Sequence, residues 1–145
     1  MATLERSALL RFPAAAMYEL VADIEAYPGF LPGCVAATVE QREGDRVRAR
    51  LGFNVKGLKD SFATENQLQP GRSIRMRLVD GPFRQLDGTW EFLPLAEDAC
   101  KVTLKLSLDF GSRILESTLS PWLDRAVNGL IEAFRRRAES LHGQR

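Results

Sequence analysis

Arg46-Val47-Arg48-Ala49-Arg50-Leu51-Gly52-Phe53-Asn54-Val55 decides the reading of this chain, because apolar residues occupy every odd position. Arg46, Arg48, Arg50 and Asn54 point the other way. Such period-two alternation describes a strand in a sheet that is wet on one face and covered on the other. Ile74, Met76 and Leu78 repeat the pattern, as do Val102, Leu104, Leu106, Leu108 and Phe110. Working outward, strands are predicted over residues 3–12, 34–43, 45–55, 58–69, 73–80, 84–94 and 100–110. The breaks between the later ones fall at Glu43-Gly44-Asp45, Lys56-Gly57, Gln69-Pro70-Gly71, Asp80-Gly81-Pro82 and Pro94 to Asp98, all rich in turn formers. Every one of these connections is short enough for an antiparallel hairpin.

Two helices complete the pattern. Met17, Leu20, Val21 and Ile24 recur at spacings of three and four, predicting a helix over 13–23 with Pro13 in its first turn. The segment Tyr27-Pro-Gly-Phe-Leu-Pro-Gly-Cys34 follows, and its prolines and glycines predict an irregular, stiff turn that presents Tyr27, Phe30 and Leu31. A long amphipathic helix is expected over 112–141. Leu115, Leu119, Leu123, Val127, Ile131 and Phe134 lie on its apolar stripe, with Glu116, Asp124, Arg125 and Glu132 opposite. Ser120 is suited to cap a restarted helix with Pro121 in its first position, so a kink or restart is expected there.

The expected fold is therefore α+β: a curved antiparallel sheet of about six or seven strands wrapped around one long C-terminal helix. At 145 residues the chain is expected to form one domain, 1–145. A chain of that size buries roughly 70% of its unfolded surface and needs neither disulfide nor metal to fold. Cys34 and Cys100 are accordingly expected as reduced thiols. Twenty basic residues against 19 acidic ones give a net charge of +1, which excludes a bulk polyanion binder while allowing charge to be segregated by face. The N-terminal residues lack the basic start and apolar block of a signal peptide, and no apolar run approaches a membrane span of about 20 residues. A cytoplasmic protein is expected, with peripheral membrane contact open.

Side-chain catalysis is not expected. The one histidine, His142, lies four residues from the end, which removes the usual general base and with it a Ser-His or Cys-His pair. No cluster has metal-ligand spacing, and the glycines match neither a phosphate-binding loop nor a dinucleotide fingerprint. What remains is apolar and concave. Phe53, Phe62, Met76, Trp90 and Leu106 come from the covered side of successive strands, and Trp122, Leu123, Val127 and Phe134 face them from the helix. Thr64 and Asn66, in phase with Phe62, are the polar side chains expected inside. One helix over so many strands leaves room, so a cavity for a hydrophobic ligand is predicted, with Tyr27, Phe30, Leu31 and Pro32 at its entrance. On the wet face Arg46, Arg48, Arg50, Lys59, Arg75 and Arg77 form a ribbon suited to phosphate, in RNA or in lipid headgroups.

Leu20 to Cys34, Lys56-Gly-Leu-Lys-Asp-Ser-Phe62, Asn66-Gln-Leu68, Leu78-Val-Asp-Gly-Pro-Phe83, Gly88-Thr-Trp-Glu-Phe92 and Ala133-Phe-Arg-Arg-Arg-Ala138 together resemble the START-like, helix-grip superfamily. Within it they resemble the branch of coenzyme Q-binding proteins and bacterial ribosome-association toxins. The resemblance runs from about Leu4 to Ala138. It implies a helix-grip fold and two roles, of which the lipid-holding one is the leading expectation, because the predicted cavity supports it independently, and the ribosome-binding one the alternative. One is a non-enzymatic protein that holds ubiquinone or a similar isoprenoid lipid as its ligand, without a cofactor, and supports respiration, in some cases peripherally at the inner membrane. The other binds the large ribosomal subunit and blocks 70S assembly. Gly33 stands where the quinone type has tryptophan, and Asn66-Gln-Leu68 and Val79-Asp-Gly-Pro-Phe83 look more like the toxin type. More distant helix-grip relatives include polyketide cyclases, whose polar catalytic lining has no counterpart here.

Overall fold

The computed structural model describes residues 2–31, 33–55 and 57–142. Seven strands form one antiparallel sheet: β1 (Ala2–Leu10), β2 (Cys34–Glu43), β3 (Arg46–Val55), β4 (Leu58–Gln69), β5 (Ser73–Asp80), β6 (Gln85–Ala96) and β7 (Ala99–Asp109). Their spatial order is β1-β7-β6-β5-β4-β3-β2, a run of hairpins from β2 to β7 with β1 closing beside β7. The first helix, α1 (Ala14–Ala22), leads through a 3-10 turn at Ile24–Gly29 into β2, and α2 (Arg113–His142) follows β7. The inner face of the sheet carries Val47, Ala49, Phe53, Ile74, Trp90, Phe92, Val102 and Leu104, all buried. The long helix α2 lies over that face with Leu119, Leu123, Val127, Ile131 and Phe134, and α1 closes one end, where Tyr18 meets Phe92 edge-on at 5.7 Å. This is the helix-grip arrangement.

Three local expectations are corrected. The stretch from Tyr27 to Cys34 is not irregular throughout: Tyr27, Pro28 and Gly29 complete a 3-10 helix over Ile24–Gly29. Proline's fixed φ of about −65° lies within the 3-10 range, so Pro28, near the end of the element, removes a donor without straining the backbone. The long helix does not restart at Pro121; it runs unbroken, and its cap is Ser112, whose Oγ accepts from the Leu115 N–H at 3.1 Å. Pro121 is exposed, so the carbonyl left without its N–H faces water, while buried Leu119 and Leu123 anchor both sides. Finally, β6 continues past Pro94 to Ala96. Its pairing with β5 ends at Ser73 opposite Glu91, so Pro94 has a neighbour on one side only, and a bulge follows it.

The turn between β5 and β6 depends on one glycine. Gly81 has φ +152°, and a Cβ there would come within 2.6 Å of Phe62 Cβ and 3.1 Å of Phe62 Cα. Neither atom can move without the β4 backbone. Gly81→Ala is expected to cost about 2–3 kcal/mol in urea denaturation. A loss below about 0.5 kcal/mol, the ordinary surface range, would show that the turn accepts any residue.

Candidate functional site

Between sheet and helix lies a cavity of about 450 Å³. Its floor is the inner face of β3 to β7, its roof the α2 segment from Trp122 to Phe134, and one side the turn around Tyr27 and Leu31. A long helix laid across a curved sheet touches it along one line, and the sheet falls away to either side. Large side chains fill one end, where Trp90, Phe92, Tyr27 and Phe134 pack as rings with centroids 5.5–6.3 Å apart. A second aromatic group, Phe53, Phe62, Phe83 and Trp122, lines the other end with centroids 5.6–6.3 Å apart.

All ten residues expected to contact a ligand line this cavity: Phe53, Phe62, Thr64, Met76, Trp90 and Leu106 from the strands, and Trp122, Leu123, Val127 and Phe134 from α2. The four expected at the entrance divide. Leu31 lies on the wall. Phe30 is absent from it and instead stacks edge-on against Phe134 at 5.3 Å, with the Arg137 guanidinium 5.6 Å above its ring. Pro32 lies outside the described residues. Tyr27 is not presented to solvent at all: it is buried, and its hydroxyl donates to the Val21 carbonyl. The turn needs an internal anchor, and a tyrosine supplies an apolar body with one polar tip to satisfy.

Burial raises the Tyr27 hydroxyl pKa well above its ordinary value, the chief cause being loss of solvent around the ionised form. Because the folded value exceeds the unfolded one, about 10, this group's contribution is complete below pH ~10 and is lost as pH rises further. Tyr27→Phe is expected to lose about 1 kcal/mol at neutral pH. Its stability should also fall less steeply than the parent's above pH ~10. Parallel pH profiles for the two proteins in urea would contradict this assignment.

Gly33, Arg125, Gly129 and Phe83 belong to the wall without having been expected there. Gly129 had a signal: a glycine inside a helix costs about 1 kcal/mol relative to alanine, so its presence asks for a reason. Here it leaves open space on the cavity side of α2, since an added Cβ would meet nothing within 4 Å. Gly33, with φ +82°, allows the close approach of Trp122, whose Nε1 would lie 3.0 Å from a Cβ at that position. Cys34 also lines the cavity as a free thiol, its pKa raised by burial, and Cys100 is free as well. Arg125 was expected on the helix face away from the sheet, and it sits on the exposed part of the wall.

The outer face of the sheet is organised in cross-strand rows. In one, Arg48, Glu65, Arg77 and Asp87 stand directly opposite one another on β3 to β6, so charges alternate and neutralise. The neighbouring row reads Arg46, Gln67, Arg75, Thr89, Lys105, with no acid between its ends. Its cations sit two strands apart, about 10 Å. A shallow groove of about 580 Å³ follows that row, lined by Gln67, Arg75, Thr89, Lys105, Ser107 and Thr3, together with acids such as Asp87 and Glu5.

The arginine ribbon is thus not uniformly available. Arg50 is committed: it donates to Asp80 at 2.8 Å, to Glu40 at 2.9 Å and to Ser61 at 3.0 Å, tying β3 to β2, β4 and β5. The bonds to Asp80 and then Glu40 hold its guanidinium more firmly protonated than usual. Arg46 reaches Glu65 at 3.4 Å and Arg77 reaches Asp87 at 3.9 Å, both through largely exposed side chains of the kind that contribute little. Arg48 Nε is buried with no hydrogen-bond partner among the described residues. Arg75 and Lys59 are exposed, without an ion pair among those residues.

A seven-stranded sheet gripping one long helix around an apolar cavity defines a START-like, helix-grip protein. The comparisons agree. A family model described as polyketide cyclase/dehydrase and lipid transport matches residues 10–135. The ribosome association toxin RatA of Pseudomonas aeruginosa is 43% identical over 97% of this chain and 97% of its own length. A coenzyme Q-binding protein COQ10 homologue from Xenopus laevis is 27% identical over 95% of this chain and 58% of that protein. Among solved structures, the Zhui aromatase/cyclase from Streptomyces sp. R1128 superposes with a TM-score of 0.84 at 18% identity, covering 95% of this chain and 93% of the other. The chain belongs to the START-like polyketide cyclase and lipid-transport family, and within it to the group of ribosome association toxin RatA.

Proposed function

We propose that this protein is a non-enzymatic ribosome-associating factor of the RatA kind, which binds the large subunit and opposes 70S assembly. The observation that carries the reading is near-full-length similarity, at 43% identity, to a protein named for ribosome association. The outer face supplies a physical basis. Arg46, Arg75 and Lys105, about 10 Å apart and spaced by Gln67 and Thr89, place exposed cations and hydrogen-bonding groups on one face where phosphates of folded RNA can dock. Such a factor works in the cytosol. Pelleting with purified large subunits through a sucrose cushion is expected at low salt and should decline steeply as salt rises. Failure to pellet at low salt would contradict the proposal.

The cavity supports a second activity in the same molecule: binding of a hydrophobic small molecule, for which an isoprenoid quinone is the leading candidate. The carrying observation is the apolar hollow of about 450 Å³, within the range of natural ligand sites. At ~25 cal/mol per Å² of apolar area, a few isoprene units bring strong gross attraction. Organic extraction of gently purified protein, followed by mass spectrometry, is expected to recover a near-stoichiometric lipid. Phe62→Asp and Trp122→Asp should each abolish that recovery. Equal lipid recovered from parent and variants would contradict the cavity site.

A further inference from the structure

Thr64 and Asn66 project from β4 into the cavity and are 6% and 3% exposed. Among the described residues they are the buried polar side chains of the core, and they bond to each other: Thr64 Oγ1 donates to Asn66 Oδ1 at 2.8 Å. That bond occupies the carbonyl of the amide. Its Nδ2, which carries two N–H donors, has no protein partner among the described residues. Its N–H groups therefore open onto the cavity, and the wall around them is apolar: Val47 and Met76 are the direct neighbours of Asn66 on β3 and β5.

We propose that the cavity selects an apolar molecule with a neutral carbonyl-type acceptor, docked so that this acceptor takes a hydrogen bond from Asn66 Nδ2. The inference rests on the reading of the cavity as a ligand site and adds to it the ligand's polar chemistry and its orientation. Asn66 is then the specificity-determining residue, and Thr64 is a positioning residue that fixes which way the amide points. Neutrality follows from the remaining wall. The Tyr27 hydroxyl is consumed by Val21, and among the described residues the one cation on the wall, Arg125, is exposed, so a buried anionic end would lack a counter-charge. The acceptor end therefore goes inward and the apolar tail runs along α2 toward Arg125 and Gly129.

Two probes of the same shape test this: 2-acetylnaphthalene, which carries the carbonyl, and 2-ethylnaphthalene, which does not. Equilibrium dialysis of each against the full chain and against Asn66→Leu gives a ratio of affinities for each protein. The ketone-to-hydrocarbon ratio is expected to fall about tenfold in Asn66→Leu, the worth of one buried hydrogen bond. Hydrocarbon binding should persist, which shows that the variant is folded. An unchanged ratio with both probes bound would overturn the inference and leave the ligand cavity standing. Binding of neither probe to the parent protein would overturn both. Nuclear magnetic resonance of the parent protein alone provides an independent readout. The Asn66 side-chain amide signals should shift downfield with the ketone and not with the hydrocarbon; identical responses would overturn the assignment.

Discussion

Phe134→Ala is expected to remove about 3–5 kcal/mol of folding stability, a large share of the 5–15 kcal/mol typical of a whole protein. The side chain is 1% exposed and touches three other rings, Tyr27, Phe30 and Trp90, with centroids 5.3–5.6 Å away. It therefore joins α2, the 3-10 turn and β6 at one point. Truncation costs most where the surroundings cannot collapse into the space vacated. Here the neighbouring volume is already empty, and the partners are rigid rings anchored on three different elements. The loss should fall in the upper part of the range and appear as a lower urea midpoint with little change in slope. A loss near 1 kcal/mol would mean that α2 is held on the sheet chiefly by other residues.

The second large effect concerns the outer face. Replacing Arg46, Arg75 and Lys105 together by glutamate is expected to weaken ribosome binding on the order of a hundredfold at moderate salt. The slope of log affinity against log salt should fall by about 0.9 for each phosphate contact removed. These three side chains are exposed, so the fold should survive their reversal. Arg50 provides the contrast. Its guanidinium is already bound by Asp80, Glu40 and Ser61, so Arg50→Gln should lower the thermal midpoint while leaving binding to ribosomes intact. The reverse outcome, with Arg50 essential for binding and the triple variant unaffected, would move the contact to a different part of the molecule.

The inner face of this protein was legible in the sequence because it follows two simple periods. Alternation by two along β3, β5 and β7, and by three and four along α2, names the residues that point inward, and the cavity wall collects them. The bounds of β2, β4 and β5 coincide with the expected ones because Gly or Pro flanks most of their ends. What the sequence withheld depends on three-dimensional register. Arg50 reads as one of three equivalent arginines. It becomes the committed one because bulges in β2 and β5 bring Glu40 and Asp80 to it. Tyr27 sits among turn formers and looks exposed, yet a carbonyl six residues back gives its hydroxyl a buried partner. Pro121 and Pro94 read as breaks, and each is tolerated at a place where its missing N–H faces solvent or an open sheet side. The volume of the cavity follows from sheet curvature, which no local pattern encodes.

Inside and outside are separable in this structure. Phe62, Asn66 and Trp122 face the cavity, whereas Arg46, Arg75 and Lys105 lie on the opposite side of the sheet. Cavity variants that keep the fold should leave ribosome pelleting unchanged, and reversal of the outer row should leave ligand extraction unchanged. Coupling between the two would require the sheet itself to transmit ligand occupancy.

Sucrose-gradient profiles of ribosomes assembling from purified subunits, with and without the protein, decide whether it engages the large subunit. The protein is expected to travel with the large subunit, and the 70S peak to fall in proportion as free subunits accumulate. A protein that stays at the top of the gradient at low salt, with the 70S peak unaltered, would contradict the proposed ribosome role.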